Sequence, residues 1–335
     1  MRGALAWLFL SGCCAFSGPT WQGPPSDHFD GERFHAPLST ARGTGDFFRW
    51  QAERKRPQWK EVEAAPGEPP QRRLALDEVR VTFVNHATVL LQAHGLNILT
   101  DPIWSRRCSP LEGLGPARYR PPGIRFEDLP PIDAVLLSHD HYDHMDVPTL
   151  RRIERAFPRA RIYAGLGNAA FLRGQRLRHV YDLDWWQEIR FGRAAITGVP
   201  AQHFSGRGLC DRDGTLFLGY VVKGPAGAVF FAGDSGYGPH FAEVRRRLGP
   251  MRLALLPIGA YKPEWFMAPM HMSPAQAVQA GEDLGARTSL GVHFGTFQLA
   301  DDGQDEPPEA LRKALEGKGN RFWVLDFGEG RDVPP

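Results

Sequence analysis

Apolar residues in this chain come in short runs rather than long stripes. Val79 to Val84, Val89 to Gln92 and Asn97 to Leu99 are β-rich runs split by turns, which predicts a meander. Ala134 to Leu137 is a continuous apolar run of strand length, the pattern of a strand buried on both faces. Val147, Leu150, Ile153 and Phe157 then recur at helical spacing, with Asp146 placed to cap the helix. Further strands are expected at Ala195–Val199, Leu216–Val222, Ala228–Phe231, Leu253–Pro257 and Ser289–Val292. A helix is expected from Pro274 to Leu284, with Ser273 as cap and proline in the first position. Strands dominate and helices separate the later ones. The pattern therefore reads as α/β (α+β), two sheets covered outside by helices.

The first residues follow a different rule. Met1-Arg2-Gly3 is short and basic, and Ala4 to Leu10 is apolar. That run is too short for a bilayer, which takes about 20 residues, but it suits an export signal. Leu10-Ser11-Gly12-Cys13 resembles the bacterial lipobox, in which the cysteine is lipidated and becomes the new N-terminus. The expected order is a lipoprotein-type signal peptide over 1–12, then a tether and N-terminal arm over 13–75. An ordinary signal cleaved near Ala15 to Gly18 is the alternative. Export with a lipid on Cys13 implies the bacterial cell envelope, with the protein held to a membrane and facing the periplasm or exterior. The arm is rich in Pro, Gly, Arg and Glu. Its aromatics, Phe29, Phe34, Phe47, Phe48, Trp50 and Trp59, are expected to bury against the body. Cys108 and Cys210 remain; export permits a disulfide between them, and the spacing does not require one.

Composition narrows function only by exclusion. Of 335 residues, 42% are hydrophobic and 23% charged, which rules out a wholly disordered or collagen-like chain. The net charge of +2, with no long basic block, provides no strong field for nucleic acid, and none is expected as a partner. A homodimer is compatible with the sequence.

The chemistry is concentrated just after the run at 134–137. Ser138-His139-Asp140-His141-Tyr142-Asp143-His144 places three histidines and two aspartates within six residues, more than packing explains. Imidazole and carboxylate are standard ligands of zinc. A loop at a strand's end can aim His139 and His141 at one ion, then present Asp143 and His144 to a second. Two ions need further ligands. His203, Asp234 and His293 each follow an expected strand end, with glycines beside Asp234 and His293 that let backbone pack close.

This set resembles the metallo-β-lactamase superfamily, whose signature is H-x-H-x-D-H followed by distant His, Asp and His. The resemblance implies an αββα sandwich over residues 76–330, with two Zn2+ at one edge of the sheets. It implies that His139, His141 and His203 hold one ion. Asp143, His144 and His293 hold the other, and Asp234 bridges them. The flanks look like N-acylphosphatidylethanolamine-hydrolysing phospholipase D. Phe83 to Val89, Thr100 to Ile103, Leu129 to Val135, Asp184-Trp185-Trp186, Phe231 to Asp234, Pro257 to Tyr261, Trp265 to Met267 and His293 to Phe297 carry that likeness. Asn85-His86 departs from the family's Gly-His. The implied reaction is zinc-dependent hydrolysis of a phospholipid phosphodiester, with hydroxide between the metals attacking phosphorus, to give phosphatidic acid and an N-acylethanolamine.

By the same resemblance His271 faces the active site as a hydrogen-bond donor or proton source for the leaving group. Tyr142 is placed to touch substrate. Asp143 counts as catalytic as well as ligating. His86 and Asp101 are expected to support ligands rather than bind metal. Trp265, Phe266, Met267 and Met270 are candidate walls of an acyl channel. The alternative functions are a metal-dependent lactonase of a phosphorylated sugar acid, and a secreted β-lactamase or other hydrolase of the same fold.

Overall fold

The computed structural model describes residues 16–335 apart from 19, 41 and 112, so the signal-peptide and Cys13 expectations lie outside the described residues. A helix α1 (Thr44–Glu53) sits in the arm, ahead of the first sheet. That sheet contains β1 (Val79–Asn85), β2 (Thr88–Ala93), β3 (Leu96–Thr100), β4 (Ala134–Leu136), β5 (Arg161–Gly165) and β6 (Val180–Leu183). Helices α2 (Val147–Ala156) and α3 (Asn168–Gly174) separate its later strands. The second sheet contains β7 (Glu188–Phe191), β8 (Ala194–Pro200), β9 (Leu218–Gly224), β10 (Gly227–Phe231), β11 (Leu253–Pro257), β12 (Thr288–Val292) and β13 (Phe322–Trp323). It is interleaved with α4 (His240–Leu248), α5 (Glu264–Met267), α6 (Pro274–Asp283) and α7 (Glu306–Ala314). A last strand, β14 (Gly330–Asp332), returns to pair with β1 in the first sheet.

Both sheets obey one plan. The first runs β14-β1-β2-β3-β4-β5-β6 and the second β13-β12-β11-β10-β9-β8-β7. Each joins an antiparallel meander to three parallel pairings. Parallel strands need crossover helices, and these cover the outer faces. Val81, Phe83 and Leu136 point into the core between the sheets, whereas Val84, Val135 and Leu137 pack outward under Leu150 and Ile153 of α2 and Leu172 of α3. The expected strand buried on both faces is therefore β4. On the other side the main core extends to Phe241 and Val244 of α4 and Ala277 and Val278 of α6.

Three details differ from the pattern reading. Leu216 and Phe217 precede β9 because the Leu216 N–H donates to the Leu166 carbonyl, outside the ladder. Asp146 stands at the N-cap of α2 but does not cap it. Its carboxylate instead accepts from Ser105 N–H, Ser105 Oγ and Thr149 Oγ1. Phe29, Phe34, Trp50 and Trp59 of the arm are buried, but Phe47 and Phe48 are exposed. Ser273 does close a capping box with Gln276 at the start of α6. Cys108 is a free, buried thiol, so it is not bridged to Cys210. Among the described residues no helix is long and apolar enough to cross a membrane.

Candidate metal centre

The strand ends β1, β3, β4, β8, β10 and β12 deliver His86, Asp101, His139 to His144, His203, Asp234 and His293 to one place. The turns that do this are tight. His86, Asp101 and His293 hold positive φ of 48°, 33° and 64°, conformations that non-glycine residues rarely adopt and that cluster at functional sites. Gly259 permits one of these turns, since a Cβ there would stand 2.1 Å from the His293 carbonyl oxygen.

Among the described residues four overlapping groups of donors result, two of which correspond to the expected ion sites. His139 Nε2 and His141 Nδ1 lie 2.8 Å apart, and His203 Nε2 lies 3.4 Å from His141 Nδ1. Nitrogen ligands in a tetrahedral zinc site stand about 3.3 Å apart, so these three fit one ion after a small adjustment. The second group is His86, Asp143, His144 and His293. Asp234 lies between the groups. Its Oδ2 is 3.1 Å from His144 Nε2, 3.1 Å from His293 Nε2, 3.8 Å from His203 Nε2 and 4.0 Å from His139 Nε2.

The tautomers are fixed from outside. His203 Nδ1–H donates to the Met270 carbonyl at 2.9 Å, which leaves Nε2 as a lone pair facing inward. Asp101 does the same for two histidines. Its Oδ2 accepts from His144 Nδ1 at 2.6 Å and from Ser138 Oγ at 2.5 Å, and Ser138 Oγ accepts from His139 Nδ1 at 2.9 Å. One buried carboxylate thus directs the Nε2 atoms of both His139 and His144, a supporting role that matches its expectation.

These inward atoms require a cation. His144 Nε2 faces Asp234 Oδ2 and Asp143 Oδ2, at 3.1 and 3.2 Å, and without a proton all three are acceptors. His144 Nε2, both ring nitrogens of His293 and Asp234 Oδ1 are buried without a hydrogen-bond partner. Burial alone would depress His144, but Asp234, Asp143 and Asp101 outweigh it and hold the ring well above its ordinary range. Burial likewise opposes charge on His293, yet Asp234 and Asp143 push it up to about 9. Metal ions fit the same donor set without a change of residues.

The remaining candidates fall into place around this centre. His86 Nε2 lies 2.9 Å from Asp143 Oδ2, as close to the second group as any expected ligand, so geometry does not separate it from them. His271 Nδ1 is 3.9 Å from Asp234 Oδ2, and burial pulls the ring down to about 4, so it is neutral. Tyr142 is half-buried beside Ile103, Cys108 and Phe297, with the Arg207 guanidinium 4.0 Å over its ring. Phe266 and Met267 are buried in a cluster with Trp50, Ala260 and Ala300, Met270 is buried, and Trp265 is partly exposed. Asp140, the motif's other carboxylate, turns away. It accepts from Gly206 N–H and Thr215 Oγ1, and so fastens the loop after His203. Ser138 and the Met270 carbonyl were not among the expected site groups. Ser138 could have been suspected from its place beside His139, but a backbone carbonyl has no sequence signal.

Residues 96–294 match the family model described as the beta-lactamase superfamily domain. The chain belongs to the metallo-β-lactamase superfamily and is a metal-dependent hydrolase of that fold. Within it, the chain is 36% identical over 263 residues to "N-acyl-phosphatidylethanolamine-hydrolyzing phospholipase D 1" of Caenorhabditis elegans, covering 74% of each protein. It is 33% identical over 246 residues to the mitochondrial protein of that name from Saccharomyces cerevisiae, covering 70% of this chain and 52% of the yeast protein. Among solved structures, an isothiocyanate hydrolase from Delia radicum gut bacteria superposes with a TM-score of 0.60 at 21% identity, over 75% of this chain and 98% of that one, and so shares the fold.

Asp101→Asn should keep the fold but misdirect His139 and His144. Supporting carboxylates of this kind typically contribute a factor of about 10–100 in metal affinity. Competition with a chromophoric chelator should show zinc weakened by that order, and wild-type affinity in the variant would remove the role given to Asp101.

Proposed function

We propose that this chain is a zinc-dependent phosphodiesterase of the phospholipase D type, hydrolysing N-acylphosphatidylethanolamine-like phospholipids to phosphatidic acid and an N-acylethanolamine. The observation that carries this reading is a pair of donor groups with the Asp234 carboxylate between them, in a chain whose relatives bear that activity in their names. Two adjoining cation sites suit in-line displacement at phosphorus, because attacking and leaving oxygens are stabilised together. Zinc ions bound there supply Lewis acidity and a water that is nucleophilic at neutral pH.

The protein's own groups divide the remaining work. His139, His141 and His203 would hold one ion and Asp143, His144 and His293 the other, with Asp234 placed to serve both. His271, neutral and beside Asp234, offers an N–H to the substrate or leaving oxygen. Tyr142 stands on the approach, its ring held under Arg207. Trp265 is the exposed member of the 265–270 segment and is available to an acyl chain, while Phe266 and Met267 form the packed wall behind it. A lipid on Cys13 would hold this site beside its substrate in the bacterial cell envelope. Multiple acyl chains anchor stably where one does not.

Three measurements check the reading. Mass spectrometry of the mature N-terminus should show acylated Cys13; an unmodified terminus at or beyond Ala15 would remove the anchor. His271→Ala should retain both metals and lose about 10²–10³-fold in turnover, the usual cost of removing one preorganised hydrogen-bond donor to the developing charge. In ¹⁸O-labelled water the label should enter phosphatidic acid. Label in a released fatty acid, or brisk lactone cleavage without lipid turnover, would contradict the proposal.

A further inference from the structure

Gln202 immediately precedes His203 and is only 1% exposed. Its side chain turns away from the metal centre and reaches the N-terminal arm. Leu38 N–H donates to Gln202 Oε1 at 2.7 Å, and Gln202 Nε2 donates back to the Leu38 carbonyl at 2.7 Å. One amide side chain thus makes the two-bond exchange that a paired strand residue would make. The same Nε2 lies 3.3 Å from the Pro269 carbonyl, next to the Met270 carbonyl that fixes the tautomer of His203. The backbone of Gln202 is tied as well. Its N–H donates to Ser235 Oγ at 3.0 Å, and its carbonyl accepts from Gly236 N–H at 2.8 Å, beside Asp234.

Hydrophobic docking of the arm does not account for this contact. The Leu38 side chain is 49% exposed, so little apolar surface is buried there, and the contact is carried by backbone pairing. The arm grips the same neighbourhood twice more. Arg42 donates to the carbonyls of Trp265 and Phe266, and Trp50 stacks on Phe266 with centroids 4.9 Å apart. All three contacts bear on residues 202 or 265–269, the segments that seat His203 and its Met270 partner. The arm lies outside residues 96–294, the part matched by the family model.

We propose that Gln202 is a positioning residue that couples the arm to the metal centre: clamped by the Leu38 backbone, it sets where His203 presents Nε2. This rests on the reading of His203 as a metal ligand, and His203→Ala tests that reading separately. Gln202→Met keeps the side-chain volume and removes the clamp. Gln202→Asn keeps the amide but withdraws it by one methylene, which weakens both bonds to Leu38. His28→Gln loosens the arm at its far end, where His28 bonds Asp184 and stacks on Trp185, away from the metals.

The full chain is loaded with Zn²⁺ and titrated against a chromophoric chelator, then loaded with Co²⁺ for its absorption spectrum, and hydrogen exchange is followed at the Leu38 amide. In Gln202→Met the Leu38 amide should exchange faster, one of two ions should bind about 10–100-fold more weakly, and the cobalt spectrum should change. Gln202→Asn should fall between this variant and the wild type, and it carries the test if Gln202→Met does not fold. His28→Gln should leave both affinities unchanged. The inference is overturned if the Leu38 amide stays protected, if it is freed while both affinities and the cobalt spectrum stay as in the wild type, or if His28→Gln weakens metal equally. If His203→Ala leaves both ions tight, the ligand reading itself fails.

Discussion

Two carboxylates, Asp143 and Asp234, are held ionised inside a wall of imidazoles, and the rest of the molecule is arranged around them. Taking an ionised carboxylate out of water costs several kcal/mol unless opposite charge and hydrogen bonds replace the solvent. Burial alone would raise both acids; His144 and His293 outweigh it and hold them well below the usual carboxylate range. That compensation is available only where the ends of both sheets meet. The parallel strands β4, β10 and β12 and the antiparallel β1 and β8 all end there, so residues far apart in sequence share one centre. The positive-φ turns at His86, Asp101 and His293 are the local strain that this convergence demands.

Much of this was legible in the sequence because the chemistry sits beside clear strand signals. The run at 134–137 reads as a strand buried on both faces, and the His139 to His144 cluster follows it directly. His203, Asp234 and His293 were legible for the same reason. Other parts were hidden by their polarity. Strand β7 alternates exposed and half-buried residues at a sheet edge, and α4 carries Arg245, Arg246 and Arg247 on nine residues, so neither stands out as an apolar run. Asp101 was legible only through the family resemblance, because a lone Asp-Pro after a strand reads equally well as a turn. The fate of Phe266 and Met267 depended on a distant partner in the arm, Trp50, which no local pattern reveals. The same holds for Gln202, whose role is visible only once Leu38 lies against it.

The arm thereby changes character. As sequence it is a Pro- and Gly-rich stretch, expected to lie on the body through its aromatics. In the fold it is fastened through Leu38, Arg42, Trp50 and the nearly buried Arg54–Asp301 ion pair, along the side of the metal centre where His271 and Met270 lie. An anchor at one end of the arm and a metal ligand beside the other would place membrane attachment and catalysis on one continuous support.

The central claim is that Asp234 stands between two cation sites. Anomalous diffraction at the zinc edge from crystals of the zinc-loaded protein addresses it directly. Two peaks are expected, one beside His139, His141 and His203 and one beside Asp143, His144 and His293, both in contact with Asp234. A single peak, or two peaks of which only one touches Asp234, would contradict the account.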